Sequence, residues 1–102
     1  SDNNLAEYEK PIVFAVPSQK EDCALVQGII DLTFKVGDET YVVDYKTDRL
    51  GDCESIFERE EEARKRHSTQ INLYAAALNV SGQNVTHKYI YLVRFGEFVR
   101  VQ

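Results

Sequence analysis

The sequence predicts an α+β domain with a mixed sheet, its elements in the order β-β-β-α-β-β. Three observations predict it. Residues alternate with period two on both sides of Gly37-Asp38, Ile71, Tyr74, Ala75 and Leu78 recur at helical spacing, and two more strand-like stretches meet at Gly96. One helix set among strands, with no internal repeat or low-complexity tract, is an α+β pattern. With 102 residues, 43% of them hydrophobic, the chain can bury one modest core, so residues 1–102 are read as a single domain.

Residues 1–10 are polar. Residues 11–16, Pro-Ile-Val-Phe-Ala-Val, are short, β-branched and closed by Pro17-Ser18, which predicts the first strand. Residues 24–36 predict the second, with a bend at Gly28, and residues 40–47 the third. After a loop over residues 48–52, residues 53–66 are strongly charged, with only Ile56, Phe57 and Ala63 to bury, and read as a helix or a mobile lid. A separate, better helix is expected to start at a Ser68 or Thr69 cap and end near Val80, stopped by Ser81-Gly82-Gln83-Asn84. Residues 88–95 and 97–101 predict the last two strands, joined tightly at Gly96.

The hairpin around Gly37-Asp38 carries the first chemical signal. A tight turn with those two residues at its centre pairs Val36 with Glu39, Phe34 with Tyr41 and Leu32 with Val43. Asp31 then faces Asp44. Opposed side chains have Cβ atoms about 4.5 to 5.5 Å apart, and like charges there destabilise a sheet. A divalent cation removes that conflict, and Lys46, projecting from the same face as Asp44, places an ammonium beside whatever the cation binds.

Composition narrows the rest. Two cysteines, Cys23 and Cys53, are too few for a disulfide framework or an all-thiolate metal cage, and are read as inert thiols. A net charge of -5 argues against a stand-alone nucleic-acid binder, since phosphate contacts come mostly from Lys and Arg. No run reaches the roughly 20 apolar residues of a membrane span, and no leader points to secretion, so a cytoplasmic location is expected. The absence of Met and the polar lead-in Ser1-Asp2-Asn3-Asn4 read as a segment of a longer polypeptide.

Three motifs in order, Gly28-Ile29-Ile30-Asp31, Asp44-Tyr45-Lys46-Thr47-Asp48 and Gln70-Ile71-Asn72-Leu73-Tyr74, resemble the RecB-type nuclease domains of the PD-(D/E)XK superfamily, most of all those fused behind a helicase in bacterial double-strand-break repair. Glu9-Lys10-Pro11 looks like that family's acidic entry to its first strand. The resemblance implies a restriction-endonuclease-like core and a metal-dependent DNA exonuclease. It further implies that Asp31, Asp44 and the Tyr45 carbonyl bind Mg²⁺ or Mn²⁺, with Glu9 a further candidate ligand. Lys46 would position or activate the attacking water, and Gln70 and Tyr74 would line the site from the helix.

The implied partners are DNA single strands from unwound duplex, a helicase domain in the same polypeptide and an AddB-like protein, with no membrane. The family's upstream helix, whose His reaches the metal, is expected to lie before this chain begins. Relatives that hold an iron–sulfur cluster use four cysteines, so no cluster is expected here. The contrasting readings are a non-catalytic DNA- or protein-binding module of the same fold and a stand-alone RecB-like nuclease.

Blander readings stand beside these. Asp31 and Asp44 could be solvated acids on an open sheet face, Lys46 a surface lysine, Gln70 a polar helix edge and Tyr74 a core aromatic. His67, next to Arg64-Lys65-Arg66, reads as solvated, and the basic trio as partners in helical ion pairs with the acids of residues 58–62.

Overall fold

The computed structural model describes residues 6–16 and 24–102, with side chains described for 6–11 and 30–102. Five strands form one sheet in the order β1-β2-β3-β4-β5: Ala6–Val16, Ala24–Val36, Glu39–Lys46, Val85–Leu92 and Glu97–Val101. All neighbours are antiparallel except β3 and β4, which run parallel. A parallel pair needs a crossover, and the single helix α1, Ile56–Val80, supplies it. The fold is α+β with a mixed sheet in the expected order.

The hairpin register is the expected one, with Leu32 opposite Val43, Phe34 opposite Tyr41 and Val36 opposite Glu39. Gly37 has φ 62, whereas Asp38 has no positive φ, which are the φ signs of a type II′ turn. The ladder between β2 and β3 stops at Leu32 and Val43. Beyond it, the Asp31 side chain takes over and accepts the Tyr45 N–H at 2.8 Å.

The helix departs most from expectation. Residues 53–66 and 68–80 are not two elements: α1 runs unbroken for 25 residues. Its N-cap is Ser55, not Ser68 or Thr69. The Ser55 hydroxyl accepts from the Glu58 N–H at 3.1 Å, while the Glu58 carboxylate accepts from the Glu54 N–H and the Ser55 hydroxyl, a variant of the capping box.

The charged first half stays helical because it is tied down. Ala63 is fully buried, Arg59 places Nε 3.1 and 3.2 Å from the two Glu97 carboxylate oxygens, and Arg64 Nε donates to the Arg100 carbonyl at 2.8 Å. Two expected i,i+4 ion pairs form, Arg64 with Glu60 and Arg66 with Glu62. The helix ends in a Schellman motif: Gln83 N–H bonds the Leu78 carbonyl, Gly82 N–H bonds the Asn79 carbonyl, and Gly82 takes φ 99.

Two strand limits also shift. β1 starts at Ala6 rather than at residue 11, because the antiparallel ladder with β2 extends back to Phe34 opposite Ala6. β4 covers Val85–Leu92 rather than 88–95. Its start is drawn out by pairing with β3 from Thr40 onward, and Val93 to Gly96 form a turn in which Phe95 and Gly96 both donate to the Leu92 carbonyl. The bend expected at Gly28 is not seen as a break, since Gly28 pairs with Ile12.

The core lies between the sheet and α1, where Ile71, Tyr74, Ala77 and Leu78 meet Val42, Ile90, Leu92, Val99 and Val101. The other sheet face carries a band of rings. Phe34 stacks on Tyr41 at 4.8 Å, Tyr41 on His87 at 4.1 Å, and Phe98 touches Tyr89 and Tyr91. Cys53 is a half-buried free thiol against the core, while Cys23 lies outside the described residues. Among the described residues, no helix is long and apolar enough to cross a membrane.

Candidate functional site

The site grows from the end of the β2–β3 hairpin. Alternation along β3 sends Val42, Asp44 and Lys46 to the helix side of the sheet. Asp44 is thereby carried into the edge of the core and is only 3% exposed, while Asp31 on β2 is half-buried. The two carboxyls are close enough to share a hydrogen bond. Burial first, and then Asp31, push the Asp44 carboxyl up from 3.8 to about 6, and Lys46 works against both.

Lys46 Nζ stands 3.0 Å from Asp44 Oδ2, yet it is turned so that this buried oxygen receives no hydrogen bond. The ammonium is aimed at α1, where it donates to Gln70 Oε1 at 2.9 Å. A buried carboxylate oxygen with no donor normally costs stability. It is also what a hard cation coordinates. Mg²⁺ suits one or two carboxylates, with water and phosphate oxygens filling the remaining positions, and Asp31 and Asp44 match that donor set. Among the described residues no third His, Cys, Asp or Glu joins them to make a three-ligand cluster.

The other expected site residues fall in different places. Gln70 is exposed and touches Lys46 as its role requires. Tyr74, one turn further on, is 7% exposed within the core cluster. Tyr45 points its ring to the opposite sheet face, edge-on to Tyr91 at 6.1 Å, while its N–H is held by Asp31. Glu9 is exposed, with φ 51. It sits between the paired Tyr8–Leu32 and Lys10–Ile30 positions, across from Asp31.

Sequence reasoning missed a neighbouring cluster. Asp48 Oδ2 receives Arg66 Nη1 at 3.0 Å and lies 3.0 Å from His67 Nε2, so His67 is not the solvated side chain expected. Burial would raise the Asp48 carboxyl, but the hydrogen bonds from His67 and Arg66 outweigh it and hold it below its usual range. One available signal was the spacing of His67 and Gln70, a single helical turn on one face. A wide surface hollow flanked by Cys53, Phe57, Glu61 and Lys65 lies along the first half of α1 and includes neither Asp31 nor Asp44.

No family model matches the chain. It is similar to proteins named as the AddA component of an ATP-dependent helicase/nuclease. In Clostridium acetobutylicum the identity is 40% over 79 residues, covering 76% of this chain and 6% of that protein. In Clostridium botulinum strain Hall it is 35% over 83 residues, covering 80% and 6%, and in Clostridium kluyveri 39% over 74 residues, covering 72% and 5%. The chain therefore spans only 5 to 6% of the length of these relatives. By sequence, the chain belongs with one segment of the AddA family of ATP-dependent helicase/nucleases.

Proposed function

We propose that the chain is a metal-dependent nuclease domain, with a restriction-endonuclease-like core, that hydrolyses phosphodiester bonds in DNA. The observation that carries this reading is Asp44: a buried carboxylate with an unsatisfied oxygen, beside Asp31 and flanked by Lys46. Stability alone gives no reason to bury one acid against another. The name of the relatives, helicase/nuclease, points the same way.

Asp31 and Asp44 would hold Mg²⁺ or Mn²⁺ together with the Tyr45 carbonyl, and with Glu9 if it closes over Asp31. A cation bound there lowers the pKa of water and draws charge from the phosphate. Lys46 supplies positive charge where the attacked phosphate gains negative charge, and Gln70 holds that ammonium in direction. Tyr74 supports the helix face from the core. The substrate would be single strands of DNA handed on by a helicase domain of the same polypeptide during double-strand-break repair, in a cytoplasmic complex with an AddB-like protein.

The second reading is a non-catalytic DNA- or protein-binding module, favoured by the two-acid ligand set and the net charge of -5. Incubation of the chain with end-labelled single-stranded DNA in Mg²⁺ or Mn²⁺ separates the two. The nuclease reading expects cutting that EDTA stops and that Asp44→Asn and Lys46→Ala both lose. Binding of DNA without cutting in either metal supports the module instead.

A further inference from the structure

Asp48 stands two residues beyond Lys46, and Gln70 stands one helical turn beyond His67. Lys46 reaches Gln70 at 2.9 Å, and Asp48 reaches His67 at 3.0 Å. The exit of β3 and one face of α1 are therefore joined by two successive polar rungs, running in opposite chain directions. Between those rungs the strand side is fixed from β4: Val93 N–H donates to the Lys46 carbonyl at 3.0 Å and Arg94 Nε to the Thr47 carbonyl at 2.8 Å. With the strand exit held, the helix turn carrying Gln70 is the part that a lost rung would release.

His67 is better suited to set that turn than Arg66, which shares the same Asp48 oxygen. The His67 and Asp48 side chains are 17% and 15% exposed, whereas Arg66 is 45% exposed and divides its guanidinium between Asp48 and Glu62. A long, exposed arginine loses much rotamer freedom to hold one geometry and contributes little. The imidazole is short and planar, and Nε2 can donate to a carboxylate in the cationic ring or in the neutral tautomer protonated there.

We propose that His67 is a positioning residue: through Asp48 it fixes the helix turn bearing Gln70, and through Gln70 it sets the direction of the Lys46 ammonium beside Asp44. Its effect on rate rests on the nuclease reading above. Its effect on Lys46 rests on the geometry alone.

Two substitutions separate positioning from simple packing. His67→Phe keeps a planar ring of similar size but no donor, and His67→Gln gives up the ring but places an amide N–H near the position of Nε2. In the full 102-residue chain without metal, the ¹⁵N signals of Lys46 Nζ and Gln70 Nε2 report the far end of the linkage. His67→Phe is expected to displace both signals, His67→Gln to restore them, and Arg66→Ala to leave them in place.

With single-stranded DNA and Mg²⁺, His67→Phe should lower kcat about ten- to a hundredfold at an unchanged KM, the scale of a small misplacement at a reacting centre, and His67→Gln should recover much of it. Unmoved Lys46 and Gln70 signals in His67→Phe overturn the proposal, as does a Phe variant that restores them better than Gln. Should His67→Phe not fold, Asp48→Asn, which leaves only a neutral acceptor, takes its place with the same two outcomes. A parent chain that cuts no DNA counts against the nuclease reading, and the two nitrogen signals still decide the linkage.

Discussion

Lys46 Nζ donates to Gln70 Oε1 at 2.9 Å while standing 3.0 Å from Asp44 Oδ2, so one ammonium is shared between a strand and a helix. The cation that offsets the buried acid is aimed by α1 rather than by its own strand. Removing either neighbour of that ammonium therefore has a predictable sign. Lys46→Met should raise the Asp44 carboxyl above about 6, because the opposing charge is gone. Gln70→Ala should lower it, because the freed ammonium can turn to the unsatisfied oxygen. Carboxyl ¹³C titration of the two variants checks both directions, and shifts of the same sign in both would contradict the shared-ammonium arrangement.

Asp44 also sets a pH dependence of folding. Its carboxyl holds a proton more tightly in the folded chain, to about 6, than at its ordinary 3.8. Ionisation therefore favours the unfolded state: stability falls as pH rises from about 4 through about 6, and the loss is complete above that. The full effect is about 3 kcal/mol. Asp44→Asn lacks this loss. In metal-free urea titrations it should gain on the parent between pH 4 and pH 7.5 by about that amount, whereas parallel curves would show that the acid is not strained.

Metal affinity should follow the opposite trend. A ligand carboxylate must lose its proton before it coordinates, so Mn²⁺ binding should strengthen as pH rises through about 6 and weaken up to about tenfold per unit below it. Calorimetry in buffers of different ionisation enthalpy would show proton release at pH 5.5 and little at pH 8. Equal release at both would contradict the assignment of Asp44 as the titrating ligand.

Much of this was legible in the residues. The β2–β3 register followed from a two-residue Gly37-Asp38 turn, because hairpin loops of that length leave one pairing, and that register brought Asp31 and Asp44 together. The single long helix was not legible in the same way, although Ser55 and Glu58 stand at capping-box spacing. The apolar stripe after residue 68 is the stronger local signal. What keeps the charged half helical is tertiary: Arg59 on Glu97 and over the Phe95 ring at 4.7 Å, and Arg64 on the Arg100 carbonyl. Partners 36 to 38 residues away leave no local trace. The Asp48–His67 contact was hidden for the same reason, since a histidine in a charged run resembles a solvated one until the strand exit is placed against it.

The cap is open to direct test. Ser55→Ala removes the acceptor of the Glu58 N–H and should cost about 1 kcal/mol of stability. It should leave the Lys46–Gln70 contact, far along the helix, unchanged. Thermal unfolding together with the Gln70 side-chain signal checks both halves. The same loss from Ser68→Ala would restore the two-element reading of this segment.

The measurement closest to the central claim is a Mg²⁺ and Mn²⁺ titration of the 102-residue chain by calorimetry at pH 8, run beside Asp31→Asn and Asp44→Asn. Binding by the parent and its loss in both variants, with each variant still folded by circular dichroism, is the predicted result. Binding that survives in both variants would contradict it, because the cation would then lie elsewhere and the facing acids of β2 and β3 would be structural.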